Sequence, residues 1–91
     1  MKILAEKRHH AKAGQVIQLS VVDNGQTVCA GSAKTYREAA LWAVRSINLV
    51  AERVETALIE TGWVTEDECT DVANGVLTLD PMPKEEPEVK P

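Results

Sequence analysis

From Tyr36 to Thr61 the chain runs 26 residues without a glycine or a proline. Few constraints on a short chain are stronger than this. Thr35-Tyr36-Arg37-Glu38 has the spacing of a capping box, in which the threonine hydroxyl and the glutamate carboxylate satisfy each other's backbone N–H groups. Gly62 stands where a helix C-terminus wants a left-handed residue. The stretch therefore predicts one helix of roughly 39 Å, at a rise of about 1.5 Å per residue.

Placed at 100° steps, Tyr36, Ala39, Ala40, Ala43, Val44, Ile47, Val50, Ala51, Val54, Ala57 and Leu58 share one broad face, which should lie on the core. Arg37, Glu38, Arg45, Asn48, Glu52, Arg53, Glu55 and Glu60 fall elsewhere. So do Leu41, Trp42, Leu49 and Ile59. Trp42 and Leu49, seven apart, form a strip flanked by Arg45 and Arg53. Scattered surface apolar residues are ordinary, but Trp and Arg together are the residue types enriched in binding hot spots. Trp42, Arg45, Leu49 and Arg53 are the candidate partner-binding residues. The strip is expected to be expendable for folding and to dock another protein or a second copy of the chain.

Gln15 to Ala30 gives the sharpest local expectation. Asn24-Gly25 is the strongest two-residue hairpin turn, because both positions must take positive φ. Centring the turn there pairs Val22 with Thr27, Val21 with Val28, Ser20 with Cys29 and Leu19 with Ala30. Ile17, Leu19, Val21, Val28 and Ala30 then form an apolar face. Val16, Gln18, Ser20, Val22, Thr27 and Cys29 form a mixed one. This describes a sheet covered on one side by the long helix.

Ahead of the hairpin, Met1 to Ala5 reads as a short strand and residues 8–14 as a mobile basic loop. Residues 1–14 carry Lys2, Lys7, Arg8 and Lys12 against Glu6. After Gly62, Trp63 should plug the end of the core. Thr65 to Glu68 is a second capping box, opening a short helix over about 66–73 with Val64 and Cys69 at hydrophobic-staple positions. Residues 75–80 read as a last strand. All four prolines fall in residues 81–91, among Lys84, Glu85, Glu86, Glu88 and Lys90, the composition of a disordered tail. The expected architecture is α+β: a single domain over 1–80, with an antiparallel hairpin and one or two further short strands packed on one long helix. A short second helix and a loose tail over 81–91 complete it.

The segment from Gln15 through Gly31-Ser32-Ala33-Lys34 into an alanine-rich helix resembles the second half of a double-stranded RNA-binding domain, over roughly residues 16–44. That resemblance implies phosphate contacts from the helix start, where Lys34 and Arg37 stand. The nucleic-acid alternative adds Lys12 and Arg45. The sequence departs from the family in having Thr35 near the place of the paired lysine and no evident first helix.

Little else carries chemistry. No paired carboxylates in apolar surroundings, Ser-His-Asp set or Gly-rich phosphate loop occurs, so no enzyme is expected. His9 and His10 are adjacent and point apart, and the acids after Thr65 lack EF-hand spacing, so neither a metal nor another cofactor is expected. Cys29 and Cys69 are expected as two reduced thiols in the cytoplasm, and no stretch is long and apolar enough to span a membrane. A net charge of −4 argues against a chain built mainly to hold phosphate. The leading expectation is a small non-enzymatic protein that binds another protein stoichiometrically. In style it is similar to inhibitors and accessory proteins of phages and mobile elements.

Overall fold

The computed structural model describes residues 1–47 and 51–79. Three strands, β1 (Lys2–His10), β2 (Gly14–Asp23) and β3 (Gln26–Ala33), form an antiparallel sheet in the order β1-β2-β3. Three helices follow: α1 (Tyr36–Arg45), α2 (Ala51–Glu60) and α3 (Glu66–Ala73). The class is α+β.

The turn between β2 and β3 is the one that Asn24-Gly25 dictates. Asn24 has φ 53° and Gly25 φ 76°, the paired positive values of a tight hairpin turn. Asp23 pairs with Gln26 and Val22 with Thr27. There the expected register ends, because a bulge intervenes and Val21 pairs with Cys29, Ser20 with Ala30 and Leu19 with Gly31. Val28 is the extra residue, and every later side chain of β3 changes face. Cys29, Gly31 and Ala33 turn inward and are buried, while Ala30 turns out to solvent.

The short strand expected near the N-terminus is present, and it runs on through His10 into the stretch expected as a loop. It is strand β1, paired with β2 from Lys2↔Val22 to His10↔Gly14. Its turn is held by a histidine side chain. Nδ1 of His10, which is buried, accepts the N–H groups of Lys12 and Ala13, each at 3.1 Å. An imidazole here does what an aspartate or asparagine does in an Asx-turn.

The single long helix is replaced by two helices of ten residues each, α1 and α2. Ser46 is where the first one stops. Its N–H reaches back to the carbonyls of both Trp42 and Ala43, at 3.1 Å, the bifurcated pattern of a tightening last turn. Its hydroxyl lies 3.0 Å from the Ala43 carbonyl, 2.9 Å from the Ala30 carbonyl and 3.3 Å from the Ala30 N–H. A serine that bonds to the backbone of another element competes with helix continuation. The C-terminal half of the run forms α2.

Thr35 caps α1, accepting the Glu38 N–H at 3.1 Å. The box at Thr65 and Glu68 is complete in both directions, and α3 spans the residues expected of it. The segment 75–79 forms no strand. It leaves α3 irregularly, with Val76 73% exposed and Leu79 buried. Asp80 and the tail over 81–91 lie outside the described residues.

The core joins Ile17, Leu19 and Val21 of β2, Cys29 and Ala33 of β3, Ala39 to Leu41, Ala43 and Val44 of α1, Val54 and Leu58 of α2, and Val64, Cys69 and Val72. Leu41, expected off the packed face, is fully buried. Arg37, one turn earlier on the same strip, pairs with Glu68 of α3, so α3 covers that side of α1.

The approach of α1 to β3 is extremely close at Gly31. A Cβ at that position would overlap the Ala39 carbonyl oxygen, and would lie 2.6 Å from the Ala43 nitrogen and 2.8 Å from Trp42 Cβ. Backbone atoms cannot swing aside as a side chain can. Gly31→Ala should therefore cost ~3 kcal/mol or more of folding stability, at the upper end for overpacked sites. Urea denaturation checks this; a loss under about 1 kcal/mol would mean that α1 does not rest on the strand at this residue.

Candidate functional site

Trp42 sits at the margin of the core, on the side of α1 that faces the outer edge of β3. It is half-buried and packs against the core cluster. Arg45, exposed one turn later, places its guanidinium 5.4 Å from the centre of the indole ring, within the range of a cation–π contact. Ser46 ties the same end of the helix to Ala30. Trp42 Nε1 is buried and has no hydrogen-bond partner among the described residues. An unpaired buried donor costs about 1–3 kcal/mol, so the indole is held by its packing at the expense of its polar atom.

The four residues of the expected partner strip are not carried by one helix. Trp42 and Arg45 are together on α1. Leu49 lies outside the described residues. Arg53 belongs to α2, where it lines a cleft of about 400 Å³ with Met1, Glu52, Thr56, Ala57 and Glu60, a lining that Trp42 and Arg45 do not share. Trp42 is also no free surface residue, so truncating it would remove packing.

The four cations of the nucleic-acid alternative are likewise dispersed. Lys12 is in the β1–β2 turn, and Lys34 lies between β3 and α1. Arg37 is taken up by Glu68 of α3. Arg45 is at the far end of α1, eight residues and about 12 Å along the axis from Arg37.

Sequence reasoning missed a different cationic pair. Strand pairing sets Lys7 opposite Ile17, and Ile17 opposite Ala33. Lys7 and Lys34 then line one groove of about 350 Å³, with Gln15, Ile17, Thr35 and Tyr36. The Tyr36 ring stacks on Trp63 at a centroid distance of 4.8 Å, so the tryptophan expected to plug the core also backs this wall. The only signal that could have found Lys7 was the length of β1, which was hidden by reading residues 8–14 as a loop.

Charge is divided along the chain. Residues 1–46 hold seven lysines and arginines against three acids, whereas residues 47–79 hold Arg53 against seven acids. The acidic part is concentrated on α2 and α3. Burial alone would raise the Glu68 carboxyl. The Thr65 N–H, the Arg37 guanidinium and the Thr65 hydroxyl outweigh it and hold that carboxyl below its ordinary value. The contact therefore supports the fold above the usual carboxylate range and is lost as the pH falls through the lowered value.

Among the described residues no three His, Cys, Asp or Glu side chains cluster as a metal site would require, and no helix is long and apolar enough to cross a membrane. No family model matches the chain, and neither the curated proteins nor the solved structures contain a match to it.

Both cysteines are free and buried. Burial pushes Cys29 up to about 11, and burial aided by Glu55, Glu68 and Glu66 does the same for Cys69. Thiolates are the reactive form, so native protein at pH 8 should react with a disulfide reagent no faster than it unfolds. The sign of the linked pH dependence follows. Below pH 9 both states hold the protons; above it the unfolded chain, with thiols near 9, ionises first. Stability should stay level through neutral pH with respect to these groups and fall between about 9 and 11, and replacing both cysteines by alanine should flatten that fall.

Proposed function

We propose that this is a small non-enzymatic protein that binds another protein stoichiometrically, as an inhibitor or accessory factor, through the C-terminal end of α1 and the neighbouring edge of β3. The single observation that supports this reading is the Trp42–Arg45 pair. An indole whose buried N–H has no partner among the described residues lies under an exposed guanidinium at the rim of the core. Trp and Arg are the residues that most often dominate binding energy when a partner seals them from water. Among the described residues that donor has no acceptor; a partner that offers one and lets the ring repack would satisfy it. Arg45 is the recognition element that water still reaches, and it favours a partner surface bearing carboxylates or carbonyls. The acidic helices α2 and α3 make a second copy one such surface, so self-association is one form of this reading.

The test uses Arg45→Glu, because the residue is exposed and its reversal leaves the core packing in place. Tagged wild-type chain and variant are used side by side to capture proteins from nuclease-treated bacterial lysate, with mass spectrometry of what is retained and light scattering for self-association. The expected result is one dominant protein in stoichiometric yield, or a dimer, that the variant loses by tenfold or more while melting within a few degrees of wild type. Capture and oligomeric state identical in wild type and variant would remove this end of α1 as the interface.

A further inference from the structure

We infer that the groove between β1, β2 and the first residues of α1 binds the phosphate of a nucleotide, with the base resting on Tyr36. This surface lies at the opposite end of α1 from Trp42 and Arg45, and the inference stands independently of the protein-binding reading.

The groove is selected by its chemistry. Its polar lining consists of Lys7, Lys34, Gln15, Thr35 and Tyr36. Each of these can donate: two ammonium groups, an amide, and two hydroxyls, of which Thr35 uses only a lone pair in accepting the Glu38 N–H. No carboxylate lines it. The clefts elsewhere differ in this respect: the one beside Met1 includes Glu52 and Glu60, and the one between α1 and α3 includes Arg45 together with Glu55. Among the described residues no ion pair holds Lys7 or Lys34. Two like charges facing one cavity repel, and an anion between them turns that repulsion into two charge-assisted contacts.

A phosphoryl group alone would leave the rest of the space unfilled. About 350 Å³ is in the range of small-molecule sites, roughly 300–1,000 Å³. The remaining lining is Ile17 and the ring of Tyr36, an apolar floor and a flat wall. Trp63 stacks on that ring at a centroid distance of 4.8 Å, which restrains its plane. A fixed aromatic wall beside a cationic pocket is the pairing that holds a base and its phosphate at once.

The phosphate could come from a free nucleotide or from one unit of a single strand, and the test separates the two. Amide and side-chain NMR shifts of the full chain are followed at low ionic strength during titration with AMP, inorganic phosphate and an oligothymidylate of eight residues. The expected result is saturable shifts from AMP, centred on Gln15, Lys34, Thr35 and Tyr36, with a weaker response to inorganic phosphate. Binding should weaken about tenfold or more in the double variant Lys7→Gln/Lys34→Gln, whose changes are at exposed positions. Tyr36→Leu should remove the advantage of AMP over phosphate, while Tyr36→Phe retains it. An oligonucleotide that binds at least tenfold more tightly than AMP identifies the strand as the source; equal midpoints identify the free nucleotide. Absence of saturable shifts, shifts unchanged in the lysine variant, or phosphate matching AMP in midpoint would each overturn the assignment.

Discussion

The fold depends on one contact between two backbones. Helix α1 rests directly on strand β3 at Gly31, so close that even a methyl group there would overlap the Ala39 carbonyl. Because Gly31 carries no side chain, Ala39, Ala40 and Ala43 can be buried completely although they are small. This is how a chain with no phenylalanine and 3% aromatic residues closes its core. Large side chains would hold helix and sheet apart; alanines and a glycine let them approach until the gap disappears. Dispersion is gained by distance rather than by bulk.

That contact exists only because the sheet carries a bulge. Without Val28 as the extra residue, strand alternation would turn Gly31 outward and Ala30 inward, and α1 would meet a methyl group and a different set of neighbours. The Asn24-Gly25 turn was legible, since two positive φ values leave few residue choices. The bulge was not, because Val, Cys and Ala can each be accommodated on either face and hydrophobic alternation alone did not choose between them. The discriminating fact was the helix, which demanded a glycine beneath it.

The helix boundaries show the same division. Caps built from local hydrogen bonds were readable: Thr35, and Thr65 with Glu68, stand where their spacing places them. The interruption after Arg45 was not, because Ser46 stops α1 through a partner sixteen residues away. Its hydroxyl bonds the Ala30 N–H and carbonyl and so satisfies the backbone of that one residue on the outer edge of β3. Periodicity passed smoothly across this point because Ile47, Val50 and Ala51 keep the apolar phase. Propensity and phase can say that a helix is allowed to continue; they cannot say that a tertiary hydrogen bond ends it. The Trp42/Leu49 strip rested on that continuity; Trp42 and Arg45 stand together on α1, Arg53 belongs to α2, and Leu49 lies outside the described residues.

The cationic residues are grouped differently by the fold than along the sequence. The sequence reading placed Lys7 in a basic N-terminal segment, and the resemblance to a double-stranded RNA-binding domain grouped Lys34 with Arg37 at the helix start. Strand pairing does the reverse. It carries Lys7 across β2 to the side of Lys34, while Arg37 turns toward α3 and is neutralised by Glu68. The turn that makes this possible is held by His10 accepting two N–H groups, a role that residue statistics reserve for shorter polar side chains. Once β1 is in place, Lys7 and Lys34, which no ion pair holds among the described residues, line one groove that has no carboxylate in its lining, so each end of α1 presents a different chemistry. At its start, donors surround a flat ring. At its end, a guanidinium covers an indole. One ten-residue helix, fixed against the sheet by a glycine, thereby holds two separate surfaces at a constant spacing, and a ligand at either could be recognised without the other surface moving.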